Sequence, residues 1–372
     1  MVRRHKAASA AGLSEAPLLP DDTPAACRYA MPAEWEPHVG TWLAWPHDRV
    51  TFDDLEGVES IFATMAAVLS TGERVNLLVK DAATEKRARA ALAVASAREA
   101  ASATAKTGVA IRRVRTADSW IRDYGPTYVV RRTGPEPRRA FVRWRFNAWG
   151  EKYATLLKDD GIPDRLRLDH LPRYAPGLVM EGGSIEVNGA GTVLTTEQCL
   201  LGKNRNPSLL RAEIEAYLRA YLGVRQVLWL GEGIVGDDTD GHVDDLSRFV
   251  SARTIVTAYE DDPKDENHAL LHENWRRLRA MADPDGRPFE IVKLPMPGRL
   301  VSGKRRLPAS YANFYVANQV VLLPVYGPNE TDQRAIAILR KAFPTRTVVP
   351  IDARPMVYGY GSIHCVTQQE PA

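Results

Sequence analysis

Residues 185–229 read IEVNGAGTVLTTEQCLLGKNRNPSLLRAEIEAYLRAYLGVRQVLW. Ile185–Val187 and Thr192–Thr195 are short strand-like runs on either side of Asn188-Gly189, a dipeptide that favours a tight hairpin turn. Ser208–Tyr221 then reads as a helix and Gln226–Trp229 as another strand. A hairpin followed by a helix and a further strand predicts α/β architecture with mixed sheets, not an all-β fold or a helical bundle. The same alternation extends outward in both directions. Val75–Lys80 and Val109–Val114 read as strands around an Ala-rich helix at Glu85–Ala103. Tyr128–Val130 and Ala140–Trp144 predict a hairpin around Thr133–Pro137. Arg248–Ala258 predicts a strand or hairpin, His268–Met281 a helix, and residues 319–351 a strand, a helix and a strand. No sequence repeat declares itself, and repeats of ββα type stay open. The acidic stretch Glu260–Asn267 and the Gly/Pro-containing stretch Pro295–Arg306 read as surface loops.

Composition narrows the function classes. The chain has 372 residues, with 49 Lys+Arg against 46 Asp+Glu and a formal net charge of +3. That balance lacks the basic excess of a nucleic-acid binder, so no nucleic-acid partner is expected. The cysteines Cys27, Cys199 and Cys365 are three, too few for a disulfide framework or a four-cysteine zinc site. Their scarcity fits a reducing, cytoplasmic setting. The basic start MVRRHK is followed by no apolar stretch of signal-peptide type, and residues 1–28 are expected as a disordered leader. No run of about 18 apolar residues predicts a membrane span.

Common catalytic signatures are missing. The chain has no Walker A motif and no HExxH, and Gly182-Gly183-Ser184-Ile185-Glu186 lacks the closing glycine of a nucleophile elbow. Four other segments carry chemistry-bearing residues. Asp118–Pro126 brings Trp120, Arg122 and Asp123 into one loop, and its plain structural reading is a turn with a capping Asp and a buried Trp. Met180–Ser184 sets Glu181 before two glycines, where backbone approaches closely. Gly236–Asp245 holds five aspartates and His242 within ten residues. If that segment starts a strand, His242 and Asp244 share a face, as an acid/base pair or as metal ligands. Gly359–Pro371 surrounds Cys365 with glycines, His364 and two glutamines, and a strand is expected at Ile363–Val366. A free cysteine is ordinarily a small buried apolar residue, and Cys27 and Cys199 take that reading. A cysteine, a histidine and several carboxylates in one pocket suggest nucleophilic catalysis on a cation. A planar guanidinium fits, because its N–H forks pair with carboxylates and its charge favours a thiolate.

Eight segments together resemble the agmatine deiminase family, which is related to the bacterial peptidyl-arginine deiminases. They are MPAEWEPHVGTWLAWPHD (31–48), DSWIRDYGPTYV (118–129), FNAWGEKY (146–153), EGGSIEVNGAGTVLTTEQCLL (181–201), NRNP (204–207), GDDTDGHVDDLSRFV (236–250), ASYANFYVAN (309–318) and GYGSIHCVTQQEP (359–371). The resemblance implies a pentein fold: a five-bladed α/β-propeller of ββαβ-type units with pseudo-fivefold symmetry, formed by residues 29–372 as a single catalytic domain. It implies that Cys365 is the nucleophile and His242 the general acid/base, while Asp123 and Asp244 grip the guanidinium. Trp120, Glu181, Asp238 and Asn313 match positions around the substrate, with Glu181 and Asp238 either orienting the histidine or holding a distal amine. The implied reaction hydrolyses agmatine to N-carbamoylputrescine and ammonia through an amidino-cysteine intermediate, in polyamine metabolism. No metal or organic cofactor is implied, and a homo-oligomer, a dimer first, is expected. Three motifs depart from the common family pattern: GYGSIHC stands for GGGNIHC, GHVDD for GHVDN, and EGGSIE, with Glu186, for EGGSIH.

Three other readings compete. The first is a peptidyl-arginine deiminase or another guanidine iminohydrolase; one acting on a C-terminal arginine needs a cation for the substrate carboxylate, for which Arg143 and Arg145 are the candidates. A metal-dependent hydrolase would use Asp237, Asp238, His242 and Asp244. A catalytically silent member would only bind a cationic ligand.

Overall fold

The stretch 185–229 folds as a hairpin, a helix and a strand. In the computed structural model, which describes residues 19–99 and 108–372, Glu186–Val187 pairs antiparallel with Thr192–Thr196. The Asn188 side chain accepts from the amides of Ala190 at 2.9 Å and Thr192 at 3.0 Å, which satisfies the turn. The helix Arg211–Leu222 buries Ile214, Leu218, Tyr221 and Leu222, one face at helical spacing. It stops at Gly223, whose φ of 65° is the left-handed conformation that closes helices. The chain then runs as Gln226–Leu230, parallel to Thr192–Thr196.

This order recurs. Thr127–Val130, Arg139–Val142 and Arg173–Tyr174 form one such sheet, with an antiparallel pair first and a parallel strand next. Ser247–Phe249, Thr254–Tyr259 and Glu290–Pro295 form another across the helix His268–Ala280. Tyr315–Val316, Val320–Val325 and Thr347–Asp352 form a third across the helix Glu330–Ala342. The last sheet joins both chain ends. Thr367–Pro371 pairs antiparallel with His38–Ala44, which lies parallel to Arg74–Val79, itself parallel to Val109–Arg113. The architecture is mixed α/β, as expected.

Some expectations are corrected. Pro295–Arg306 is not all loop, because Val301–Ser302 and Arg305–Arg306 form a small antiparallel ribbon. The expected strand at Ile363–Val366 is instead a 3₁₀ turn at His364–Val366, and the strand begins at Thr367. Val243–Asp245 is likewise a 3₁₀ turn, so His242 and Asp244 do not share a strand face. The Asp237 carboxylate bends that segment by accepting from the amides of Gly241 at 2.8 Å and His242 at 3.1 Å. Of the leader expected at 1–28, residues 1–18 lie outside the described residues, but the remainder is docked. Ala25 N donates to Ala220 O at 2.9 Å, and Leu19 and Cys27 pack against the apolar cluster around Leu218 and Tyr221. No helix among the described residues is long and apolar enough to cross a membrane.

Candidate active site

Strand ends and the turns between sheets bring three of the four segments to a cavity of about 190 Å³, whose wall includes Trp120, Asp123, Trp149, Asp238, Tyr360 and Cys365; Met180–Ser184, His242 and Asp244 are not part of that wall. The Cys365 thiol is held from behind by Asn313, whose Nδ2 lies 3.2 Å from Sγ. Asn313 Oδ1 accepts from His364 N at 2.8 Å, and its Nδ2 also donates to Asp245 Oδ1 at 2.9 Å. Asn313 therefore fixes the turn that carries the thiol and does not line the cavity, contrary to expectation.

Asp123, His242 and Asp244 converge on Gly183. A Cβ there would lie 2.5 Å from His242 Nδ1 and 3.0 Å from both Asp123 Oδ1 and Asp244 Oδ2. Only a glycine leaves room for three functional groups around one backbone position. Asp123 sits on the short helix Ile121–Tyr124 and accepts from Trp149 Nε1 at 2.9 Å and Gly183 N at 3.0 Å. His242 lies between two carboxylates, with Nδ1 3.8 Å from Asp123 Oδ1 and Nε2 3.8 Å from Glu181 Oε2. Both separations exceed a hydrogen bond, and the buried Nε2 has no partner. Asp244 Oδ2 is 2.7 Å from His364 Nδ1, while its Oδ1 is buried without a partner.

A buried ionic network underlies these groups. His364 Nε2 contacts Glu34 Oε2 at 2.7 Å, so His364 spans Glu34 and Asp244. Glu34 Oε1 accepts from Arg248 Nη2 at 2.9 Å and from Val316 N at 2.8 Å. Arg248 Nε donates to Glu186 at 2.9 Å, the residue that departs from the common EGGSIH pattern. Arg122 Nη1 donates to Gln369 Oε1 at 2.7 Å. These charges are buried but paired, which is the condition for tolerating them.

Electrostatics set the resting protonation. Burial, opposed by His242 and reinforced by Asp244 and Glu181, pushes the Asp123 carboxyl up to about 6. Burial works against charge on His242, but Asp123, Cys199 and Glu181 outweigh it and hold the imidazole well above its ordinary range. Burial first, then Asp244, Asp245 and Asp123, push the Cys365 thiol well above its ordinary value. For Asp244, burial is outweighed by the hydrogen bond and charge of His364, so its carboxyl is lowered.

The other expected residues divide. Trp120 and Asp238 do line the cavity. Trp120 Nε1 donates to Asp118 Oδ2 at 3.0 Å, and its ring packs where a Cβ on Gly361 would fall 2.3 Å away. Asp238 meets Tyr153 and Arg305 at the mouth. Glu181 is fully buried off the cavity, paired through Oε1 with Arg205 Nε at 2.7 Å, so it faces the histidine and not the substrate space. Asp237 is spent on turn amides and Asp238 on the mouth pair, which dissolves the metal set of Asp237, Asp238, His242 and Asp244. Among the described residues, the three side chains placed to share an ion are instead Glu181, Cys199 and His242. Arg143, considered for a substrate carboxylate, is taken by Asp160 at 2.8 and 3.1 Å. Glu34, Glu186, Arg248, Trp149 and Cys199 were not anticipated as parts of the site. All five lie in quoted motifs, but nothing in their spacing signals the contacts.

Comparison with known proteins gives a consistent picture. The family model described as Porphyromonas-type peptidyl-arginine deiminase matches residues 30–371. An agmatine deiminase of Medicago truncatula is 38% identical, across 95% of this chain and 99% of its own length. An agmatine deiminase of Pseudomonas fluorescens is also 38% identical, across 94% of this chain and 97% of its own. The structure of the agmatine deiminase of Enterococcus faecalis superposes with a TM-score of 0.85 at 31% identity, covering 96% of this chain and 99% of that one.

Proposed function

This chain belongs to the Porphyromonas-type peptidyl-arginine deiminase family, and we propose that within it the chain is an agmatine deiminase, hydrolysing agmatine to N-carbamoylputrescine and ammonia. One observation carries the assignment. Three groups suited to a guanidinium and its proton transfers converge on Gly183, with Asp244 Oδ1 buried and unpartnered. A buried carboxylate oxygen without a donor is costly, and a guanidinium N–H removes that cost.

The chemistry follows from the placement. Asp123 and Asp244 hold the guanidinium nitrogens, and the bound cation favours the thiolate that the resting site disfavours. As the cation binds, the Cys365 thiol proton passes to solvent through the cavity, and Sγ forms a bond to the guanidinium carbon. The C–N bond to the departing nitrogen breaks as His242 supplies its proton, and ammonia leaves. The amidino-cysteine adduct is then attacked by water, whose proton passes to His242. The C–S bond breaks, and the ureido product gives its remaining proton to the departing thiolate, which restores Cys365 as a thiol. Asn313 is the positioning residue for the thiol, and Glu181 for the histidine. We further propose that the five sheets of repeated order are five blades about a pseudo-fivefold axis, with residues 29–372 as one catalytic unit and the cavity in its channel. A thiol nucleophile and three unpaired cysteines support a reducing compartment, the cytoplasm.

A substrate panel tests the assignment: agmatine, free arginine and a peptide ending in arginine, read by ammonia release and ureido colorimetry. Agmatine is expected to turn over best, and turnover of the peptide alone would remove agmatine while keeping the chemistry. The pH profile gives a second check. Asp123, raised to about 6, is neutral below that pH in the free enzyme and cannot pair with the cation. kcat/KM should therefore fall at least about tenfold from pH 7 to pH 5, with loss of the Cys365 thiolate adding to the drop, and a flat profile over that interval would remove Asp123 from the binding step. At the mouth, Arg305 occupies Asp238, where a distal ammonium would sit. Arg305→Ala is expected to lower KM for agmatine severalfold with little change in kcat, and a raised KM would count against Asp238 as the amine's partner.

A further inference from the structure

We propose that Glu181, Cys199 and His242 form a binding site for a thiophilic divalent cation, of the zinc type, and that its occupation switches the enzyme off. The three donor atoms come from separate parts of the chain and lie within 4.8 Å of one another. His242 Nε2 is 3.8 Å from Glu181 Oε2, and Cys199 Sγ is 4.0 Å from the same oxygen. Tetrahedral zinc with bonds of about 2.0–2.3 Å places its donors about 3.3–3.8 Å apart, so small side-chain rotations complete the set.

Two further features point to a ligand. His242 Nε2 is buried with no hydrogen-bond partner, and the residue is only 1% exposed. Glu181 gives Oε1 to Arg205, which leaves Oε2 as the oxygen shared with His242 and Cys199. A thiolate, an imidazole and a carboxylate suit zinc or cobalt(II), whereas magnesium and calcium prefer oxygen shells.

Binding is a ligand exchange without redox change. The metal displaces the Cys199 thiol proton, and the His242 Nε2 proton when present, into solvent. A metal-bound Nε2 no longer carries a proton, so the inhibition arm of the test rests on the deiminase reading while the binding arm does not.

The experiment titrates cobalt(II) into the full chain carrying Cys365→Ala and follows thiolate-to-cobalt absorption. A band saturating at one equivalent is expected, and it should vanish in Cys199→Ser and in Cys199→Ala. Zinc should inhibit agmatine turnover by the unsubstituted protein, with activity restored by EDTA, and Cys199→Ser should need at least tenfold more zinc. Thermal melting of both Cys199 variants controls for folding. A band that requires Cys365, a band unchanged in both Cys199 variants, or no band at saturating cobalt would each overturn the site. If the protein proves inactive on agmatine, the absorption titration still decides the binding.

Discussion

Cys365→Ala is expected to bring ammonia release from agmatine to background, a loss of at least about 10⁴-fold, while guanidine binding persists. The two halves of this result come from different groups. The substitution removes the only atom proposed to bond to the guanidinium carbon. It leaves Asp123 and Asp244 in place, with Asp244 still fixed by His364 at 2.7 Å. Calorimetry with agmatine reads the binding, and a coupled ammonia assay reads the chemistry. Mass spectrometry of the unsubstituted protein, quenched during turnover, should show the amidino adduct on the peptide containing Cys365. Activity surviving Cys365→Ala, and lost on chelation, would instead favour metal-dependent hydrolysis. Loss of binding together with turnover would mean that the thiol holds the turn's shape, a role its contact with Asn313 makes testable by Cys365→Ser.

Local pattern made part of this molecule legible. Asn188-Gly189 and the helix spacing of Ile214, Leu218 and Leu222 are short-range signals, and both elements form where the residues predict them. The closing pair, His38–Ala44 with Thr367–Pro371, joins residues more than three hundred positions apart, and no window along the chain contains both partners. The helix Leu55–Leu69 went unmarked, although its signal is local. Val58, Phe62, Met65 and Leu69 follow helical spacing on its buried face, alongside the small residues Ala63, Ala66 and Ala67, so the period was there to be read.

The site was legible in its residue types and less so in its pairings. Cys365, His242, Asp123 and Asp244 came from the resemblance, and the fold gathers their segments around one cavity and one glycine. Strand periodicity paired His242 with Asp244 along the chain. In the fold, Asp244 instead belongs to His364, and His242 stands between Asp123 and Glu181. The 3₁₀ turn at Val243–Asp245 is the physical reason: His242 precedes it with extended ψ, so the two side chains reach Gly183 from different directions and not along one strand face. Glu34 shows the limit of spacing arguments most clearly. It receives Arg248, Arg122 and His364, from three distant segments, and in MPAEWEPH nothing sets Glu34 apart from its neighbour Glu36.

Gly183→Ala should uncouple catalysis from stability. The added methyl would lie 2.5 Å from His242 Nδ1 and 3.0 Å from the Asp123 and Asp244 oxygens, below van der Waals contact with all three. Gly183 also donates its amide to Asp123 Oδ1 at 3.0 Å, so the backbone cannot retreat without releasing the carboxylate. The imidazole and the carboxylates must move instead, and displacements near 1 Å in such a site lower rates about 100-fold. Gly183 is not among the positive-φ glycines, so alanine meets no backbone strain there, and the melting temperature should move by only a few degrees. Gly177 supplies the opposite control. Its φ is 79° and an added Cβ meets nothing within 4 Å, so Gly177→Ala should cost about 1–2 kcal/mol of stability and leave kcat/KM unchanged. The pair is read by thermal melting and agmatine kinetics on the same preparations. If Gly183→Ala keeps normal kinetics, the three groups are not held against that backbone during turnover, and the convergence on which the proposed mechanism rests fails.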